Sequence, residues 1–337
     1  GGEAVQPSPL KAAGMAVAGL VFVYAFLLLG YGASVTLLQA KSIFAIKGWD
    51  VLGNGLSLQA WRDFPSLLNL VLSPLAFLGG LLVAYFVSIN LATQHRIYRD
   101  RLMEVFCAEE SALISGEWAR AKRAQSRAGW LVNMMPPARP YHLINACLVT
   151  TDSNKRRYRG RGGDNFIMTP LFCGSDATGW VRTKVGMEAL SLPTAIAVSG
   201  AALNAHAGPH GTGILRNKAY AAVLGLLGLN LGVWLPNPKR FAPDGRPPTH
   251  IPNLLNPGYF ALSGRKLNET NAYVQLSDGG HFENLAIYEL IRRKVDFLWI
   301  SDAGQDAGFS FEDLANAIER VRVDFGVNLR FQNDDYD

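Results

Sequence analysis

Between Lys11 and Lys41 the chain carries no charged residue, and this stretch of Val, Leu, Phe, Ala and Gly exceeds the roughly 20 residues a bilayer demands. The pattern predicts a transmembrane helix over about 12–40. A second uncharged run, Phe64 to His95, predicts another over about 66–94, with Pro65 and Pro74 near its beginning, where a helix tolerates or kinks around them. The first run is too long for a signal-peptide core and lacks a compact small-residue cleavage site. A third apolar stretch, Ala219 to Leu235, is broken by Gly225, Gly228, Asn230 and Gly232 and ends in Pro236-Asn237-Pro238. It predicts a buried or interfacial helix rather than a span.

After the second run the pattern changes to that of an α/β domain. His142–Thr150 and Asn271–Leu276 read as strands and Phe297–Ser301 as a buried strand. A final helix is signalled by Ser310 with Asp313 three positions on, and by Phe311, Leu314, Ile318, Val321 and Phe325 at helical spacing. The Pro- and Asn-rich passage 236–257 reads as an irregular surface connection. Residues 1–95 are thus expected to be a transmembrane hairpin and residues 96–337 an α/β domain.

Charge adds an orientation. The loop between the two runs is nearly balanced, whereas Arg96, Arg99, Arg101, Arg120, Lys122, Arg123 and Arg127 follow the second, which places both ends of the hairpin in the cytoplasm. Acidic residues are interleaved there, so the segment reads equally as a solvated helix or as a juxtamembrane lipid contact. The formal net charge is +5, yet the basic residues form no stripe with interleaved aromatics, which argues against nucleic acid and for anionic headgroups. Cys107, Cys147 and Cys173 form no CxxC pair and read as reduced core residues. His206 and His210 lie in a Gly-rich stretch without a third ligand or a Walker lysine, so no metal and no cofactor are expected.

Chemistry concentrates in Ser277-Asp278-Gly279-Gly280-His281-Phe282-Glu283-Asn284, which sets a carboxylate at a strand end, where open α/β sheets build their sites. Two glycines there permit positive φ and close approach of another chain. An Asp-Gly-Gly sequence alone is also a common turn. His281 and Glu283 read as surface or helix-capping groups, and Asp302 as a residue that shapes the same site or as an ordinary turn.

This segment, with Tyr288-Glu289-Leu290-Ile291-Arg292-Arg293 and Ile300-Ser301-Asp302-Ala303-Gly304, resembles the end of bacterial membrane-associated patatin-like phospholipases and of the cytosolic group IV phospholipases. Shorter stretches, among them Pro140–Ala146, Thr169–Ser175 and Ala197–Ala202, extend the resemblance over about residues 95–330. It implies a patatin-like sheet flanked by helices, with the hairpin preceding or inserted in it. It also implies a lipid acyl hydrolase with a Ser-Asp dyad, in which Asp278 is the base, Gly279, Gly280 and Asn284 shape the site, and the substrate is a membrane glycerolipid or phospholipid.

No Gly-x-Ser-x-Gly elbow and no Gly-Gly-Gly oxyanion loop occur in the chain. In the family both precede the membrane region, so they are expected upstream of this chain. Ser199, in Ala197-Val198-Ser199-Gly200-Ala201, is the in-chain candidate nucleophile, although alanines crowd the outer positions of an elbow and small-residue packing explains it equally well. The resemblance further implies an integral protein of a bacterial inner membrane with its α/β part cytoplasmic. The rival reading is a non-catalytic membrane scaffold or lipid-binding protein of the same fold.

Overall fold

The structure is a computed structural model that describes residues 78–106, 110–117, 132, 140–188, 190–206, 218–242, 245–248 and 251–330. The chain divides into two compact units, residues 1–87 and 88–337. In the first unit, residues 78–86 are helical and expose Leu78, Leu82, Val83 and Phe86.

The second unit begins with α1 (Ile89–Ala92), α2 (His95–Phe106) and α3 (Glu110–Ile114). Strand β1 (Ile144–Val149), α4 (Arg156–Arg161), β2 (Gly163–Met168), β3 (Phe172–Ser175) and β4 (Gly179–Arg182) follow. Then come α5 (Thr183–Gly186), α6 (Leu192–Ser199), α7 (Lys218–Leu226), β5 (Val233–Pro236) and α8 (Pro257–Ser263). The unit closes with β6 (Tyr273–Ser277), α9 (Ile287–Arg292) and α10 (Glu312–Phe325).

The strands form a six-stranded sheet in the order β4-β3-β2-β1-β6-β5, and every neighbouring pair is antiparallel. This corrects the patatin-like expectation, because patatin sheets are mainly parallel. Here β2, β3 and β4 follow one another as antiparallel neighbours, so the βαβ crossovers that build parallel sheets do not arise. The two expected strands are present as β1 and β6, paired through Cys147↔Ser277 and Leu148↔Leu276.

Alternation along β1 decides what covers each face. Ala146 and Leu148 join Phe166, Met168, Val274 and Leu276 in a core closed by Ala195 and Val198 of α6. Cys147 points the other way, into Phe282, Ile287, Tyr288, Ala317 and Val321. With both faces covered, β1 and β2 read as near-continuous buried runs. Cys147 and Cys173 are free and buried; Cys107 lies outside the described residues.

Other expectations are corrected or fall outside the described residues. The first expected span, 12–40, lies outside the described residues. The second, 66–94, is interrupted in its described part, because the helix ends before an isolated bridge, Ser88↔Asn253. Among the described residues no helix is long and apolar enough to cross a membrane. The third apolar stretch divides into α7 and β5, consistent with its glycines. Phe297–Ser301 is not a buried strand: α9 ends in a turn at Lys294 (φ 56°), and Phe297 and Trp299 are 76 % and 85 % exposed. Ser310 does not cap the last helix; the loop before it is closed instead by Asp306, which accepts from the Ser310 and Phe311 backbone N–H groups.

Gly174 shows how tightly the β3–β4 hairpin is built. Its φ is +153°, and a Cβ there would lie 2.1 Å from the Gly179 carbonyl oxygen. Gly174→Ala is expected to destabilise the fold by about 2–4 kcal/mol, through backbone strain at a special φ/ψ. Thermal melting checks this, and an unchanged midpoint would contradict it.

Candidate functional site

The site grows from the end of β6. Ser277 is the last strand residue, and the chain then turns through a 3₁₀ element, Gly279–His281. The Asp278 side chain caps that element: Oδ1 accepts from the Gly280 N–H at 2.7 Å, while the Asp278 carbonyl accepts from the His281 N–H at 3.1 Å. The turn is therefore closed by both the side chain and the backbone of Asp278, and the carboxylate is held through one oxygen before any ligand arrives. Among the described residues Oδ2 accepts no hydrogen bond, which leaves it available for a proton.

The two glycines are selected by space and not by φ, since neither has a positive φ. A Cβ on Gly279 would lie 3.0 Å from the Asn145 carbonyl oxygen, at the start of β1. One on Gly280 would meet Asn284 Oδ1 at 2.7 Å and Asp278 Oδ1 at 3.1 Å. The antiparallel pairing of β1 and β6 is what brings the start of one strand against the end of the other.

Burial is the main influence on Asp278 and pushes its carboxyl above the usual range; the Gly280 hydrogen bond and the nearby His281 charge pull it back part of the way. A desolvated carboxylate is a stronger base than one in water. The His281 ring is held by its Nδ1, 3.0 Å from Ser277 Oγ. Ser277 is fully buried, so its hydroxyl orients the imidazole and does not meet a substrate. Cys147 is also removed from nucleophilic chemistry, because burial pushes its thiol up to about 12 and the thiolate is the reactive form.

Asn284 does not cap the next helix. It is exposed and donates from Nδ2 to Asp313 at 2.7 Å, tying the turn to α10. The capping falls to Glu283, whose carboxylate accepts from the Leu285 and Tyr288 N–H groups at 2.5 and 3.0 Å. Burial raises the Glu283 carboxyl, and these backbone bonds oppose the shift. Phe282 anchors the turn from below, edge-on to Tyr288 at 5.1 Å and beneath the Arg320 guanidinium at 4.1 Å.

Ser199 is the last residue of α6 and is followed by Gly200 as C-cap. α6 packs against β1, α2 and the turn that carries Asp278, yet no hydrogen bond joins Ser199 to Asp278 among the described residues. A helix C-terminus also carries negative partial charge, which opposes an alkoxide or oxyanion there. Asp302 is exposed and closes a local turn by accepting from the Gly304 N–H at 2.8 Å. His206 is buried, its Nε2 2.9 Å from the Ala261 carbonyl oxygen, and His210 lies outside the described residues. Among the described residues no cluster of His, Cys, Asp and Glu could hold a metal ion.

His95 is a buried polar residue that the apolar pattern around it does not single out. It is 3 % exposed, its Nδ1 lies 2.7 Å from the Leu231 carbonyl oxygen, and burial lowers its pKa. It pins α2 to the segment before β5. That segment reaches the end of β6 through Gly232, where a Cβ would lie 2.5 Å from the Leu276 carbonyl oxygen. Its position at the end of a long apolar run was a signal that a polar side chain was going inside.

No family model, curated protein or solved structure matches the chain.

Proposed function

We propose that the protein is a serine-dependent carboxylic ester hydrolase acting on acyl esters of membrane lipids, with Asp278 as its general base. The observation that carries this reading is the Asp278 carboxylate itself: desolvated, fixed through one oxygen by Gly280, and without a hydrogen bond to its other oxygen among the described residues. The resemblance of residues 273–304 to phospholipase motifs supports the same role, although the sheet departs from that family's.

In this reading a serine hydroxyl gives its proton to Asp278 Oδ2 as its oxygen bonds to the acyl carbon. The ester C–O bond then breaks and the leaving alcohol takes that proton from Asp278. Water repeats the sequence, with Asp278 again accepting a proton, and releases the acid. A weak nucleophile becomes effective in this way through a positioned base. The nucleophile is distinct from Ser277, which is enclosed, and fluorophosphonate mapping decides whether it is Ser199. The lipid bilayer is the partner surface of this proposal, and no cofactor enters the chemistry.

The pH dependence tests the role of burial. Asp278 accepts a proton only when ionised, and burial raises its pKa. The acid limb of kcat/KM is therefore expected above the ordinary aspartate range of about 4. A pH series on a soluble acyl ester reads this directly, and a limb at or below that range would contradict a desolvated base.

A further inference from the structure

Beyond α9 one stretch of chain is left uncovered. Residues 297–306 run without helix, turn or bend, and the backbone groups of residues 297–303 make no hydrogen bond among the described residues. The side chains are those of a strand: alternation sets Phe297 and Trp299 on one face and Leu298 and Ile300 on the other, and both rings and Ile300 are exposed. An unpaired apolar edge of this kind is a template for another strand. We propose that residues 294–302 pair with the same residues of a second copy of the chain, as two antiparallel strands about a twofold axis at Leu298.

The run is complementary to itself, which favours that occupant. In an isologous contact each pair of facing residues occurs twice. With the axis at Leu298, Phe297 lies opposite Trp299 of the second copy and Lys294 lies opposite Asp302, an aromatic and an opposite-charge pair of the kind that stabilises neighbouring strands. Both charges are available for it. Lys294 is exposed and makes no ion pair among the described residues, and Asp302 accepts the Gly304 N–H through one oxygen alone.

Other alignments are poorer. Parallel strands in register set Asp296 on Asp296 and Asp302 on Asp302, and an antiparallel axis at Trp299 sets Asp296 against Asp302; like charges directly opposite are destabilising. An axis at Phe297 sets Lys294 against Ile300 and loses the ion pair. Phe and Trp side chains bury roughly 150–250 Å² each, so the two rings of one run supply at most about half of the roughly 800 Å² per partner of a standard interface. The dimer is therefore weak, and its population follows concentration.

The test is oxidative cross-linking of the full-length chain in detergent micelles, with Cys107→Ser so that the remaining thiols, Cys147 and Cys173, are buried ones. Leu298→Cys is expected to give a disulfide-linked dimer, because residue 298 meets itself across the axis. Asp296→Cys and Ile300→Cys are expected to cross-link when mixed and not alone: each faces the other, while the two copies of either lie about 13 Å apart at ~3.3 Å per residue, beyond the roughly 7 Å that a disulfide spans. The mixed pair keeps the test open if Leu298→Cys fails to fold. Trp299→Ser, a change at an exposed position, is expected to weaken self-association about tenfold in sedimentation velocity, as loss of a central aromatic anchor does.

Cross-linking of Asp296→Cys alone as readily as of the mixed pair, or self-association unchanged in Trp299→Ser, overturns the inference, since the copies then meet through another surface. A chain that stays monomeric at every concentration overturns it as well. Trp299 emission shielded from a soluble quencher in that monomer identifies another segment or another protein as the cover.

Discussion

Asp278→Asn is expected to lower hydrolysis of a lipid ester by about 10²–10⁴-fold, the contribution of a positioned general base, while raising the melting temperature at neutral pH. The two effects share a cause. Asparagine still accepts the Gly280 N–H through Oδ1, so the turn survives, but it cannot take a proton. Because burial raises the folded pKa of Asp278, its favourable contribution to stability is complete only below the unfolded value near 4 and is lost as pH rises through the folded pKa. The asparagine variant therefore gains on the wild type at neutral pH, and the difference closes towards pH 4. Parallel assays of ester turnover and melting across pH check both halves. Retained turnover would remove Asp278 from the mechanism, and a loss of stability at neutral pH would show the carboxylate to be a structural anchor.

Asp324→Ala is expected to destabilise the protein by about 3–5 kcal/mol, as removal of one partner from a buried ion pair does. The Asp324 side chain is 5 % exposed. It accepts two hydrogen bonds from Arg161, at 2.5 and 2.8 Å, and one from the Tyr288 hydroxyl at 2.7 Å. Arg157 approaches at 3.1 Å but is half exposed and rehydrates when the carboxylate goes, which places the effect towards the lower end of that range. The cluster joins α10 to α4 and α9, the elements behind the Asp278 turn.

Although burial acts to raise the Asp324 carboxyl, the Arg161 and Tyr288 hydrogen bonds and the two arginine charges outweigh it and hold the group below the usual range. Its stabilisation is consequently present above the unfolded pKa and lost as pH falls through the lower folded one. Urea unfolding is expected to show a gap between wild type and Asp324→Ala that is constant at neutral pH and shrinks below about pH 4. A difference under about 1 kcal/mol at neutral pH would mean that the cluster behaves as an ordinary surface ion pair.

The strands that carry the site were legible in the sequence, whereas the sheet around them was not. β1 and β6 announce themselves as apolar segments next to turn residues. β2 hides because Asp164 and Asn165 interrupt its apolar pattern, yet both are buried: Asp164 Oδ2 accepts from the Ala177 N–H at 2.9 Å, and Asn165 Nδ2 donates to Glu289 at 3.4 Å. Polarity within a strand signals solvent only when no partner waits inside, and those partners lie 13 and 124 residues away. Strand direction was likewise illegible, since an apolar run has no periodicity that separates parallel from antiparallel neighbours. The run at Phe297–Ser301 misled for a related reason: composition marks an apolar segment but does not supply the strand that would cover it.

Within the site, the Asp-Gly-Gly motif correctly marked a tight turn at a strand end. Gly279 answers to the Asn145 carbonyl, a contact that appears only once β1 and β6 pair, and Gly280 to the Asn284 side chain of its own turn. Of the two roles read for Glu283, surface group or helix cap, the structure shows the cap, and Asn284 turns elsewhere. Glu283 is drawn inward beside Phe282 and finds backbone donors there, while Asn284 faces α10 and Asp313.

The most direct measurement is fluorophosphonate labelling of the full-length protein, followed by peptide mapping, in the wild type and in Asp278→Asn. The probe reacts with a serine whose hydroxyl is activated by a base. The account predicts one labelled serine in the wild type and loss of that label in Asp278→Asn. No labelled serine in the wild type, or labelling indifferent to Asp278, would contradict it.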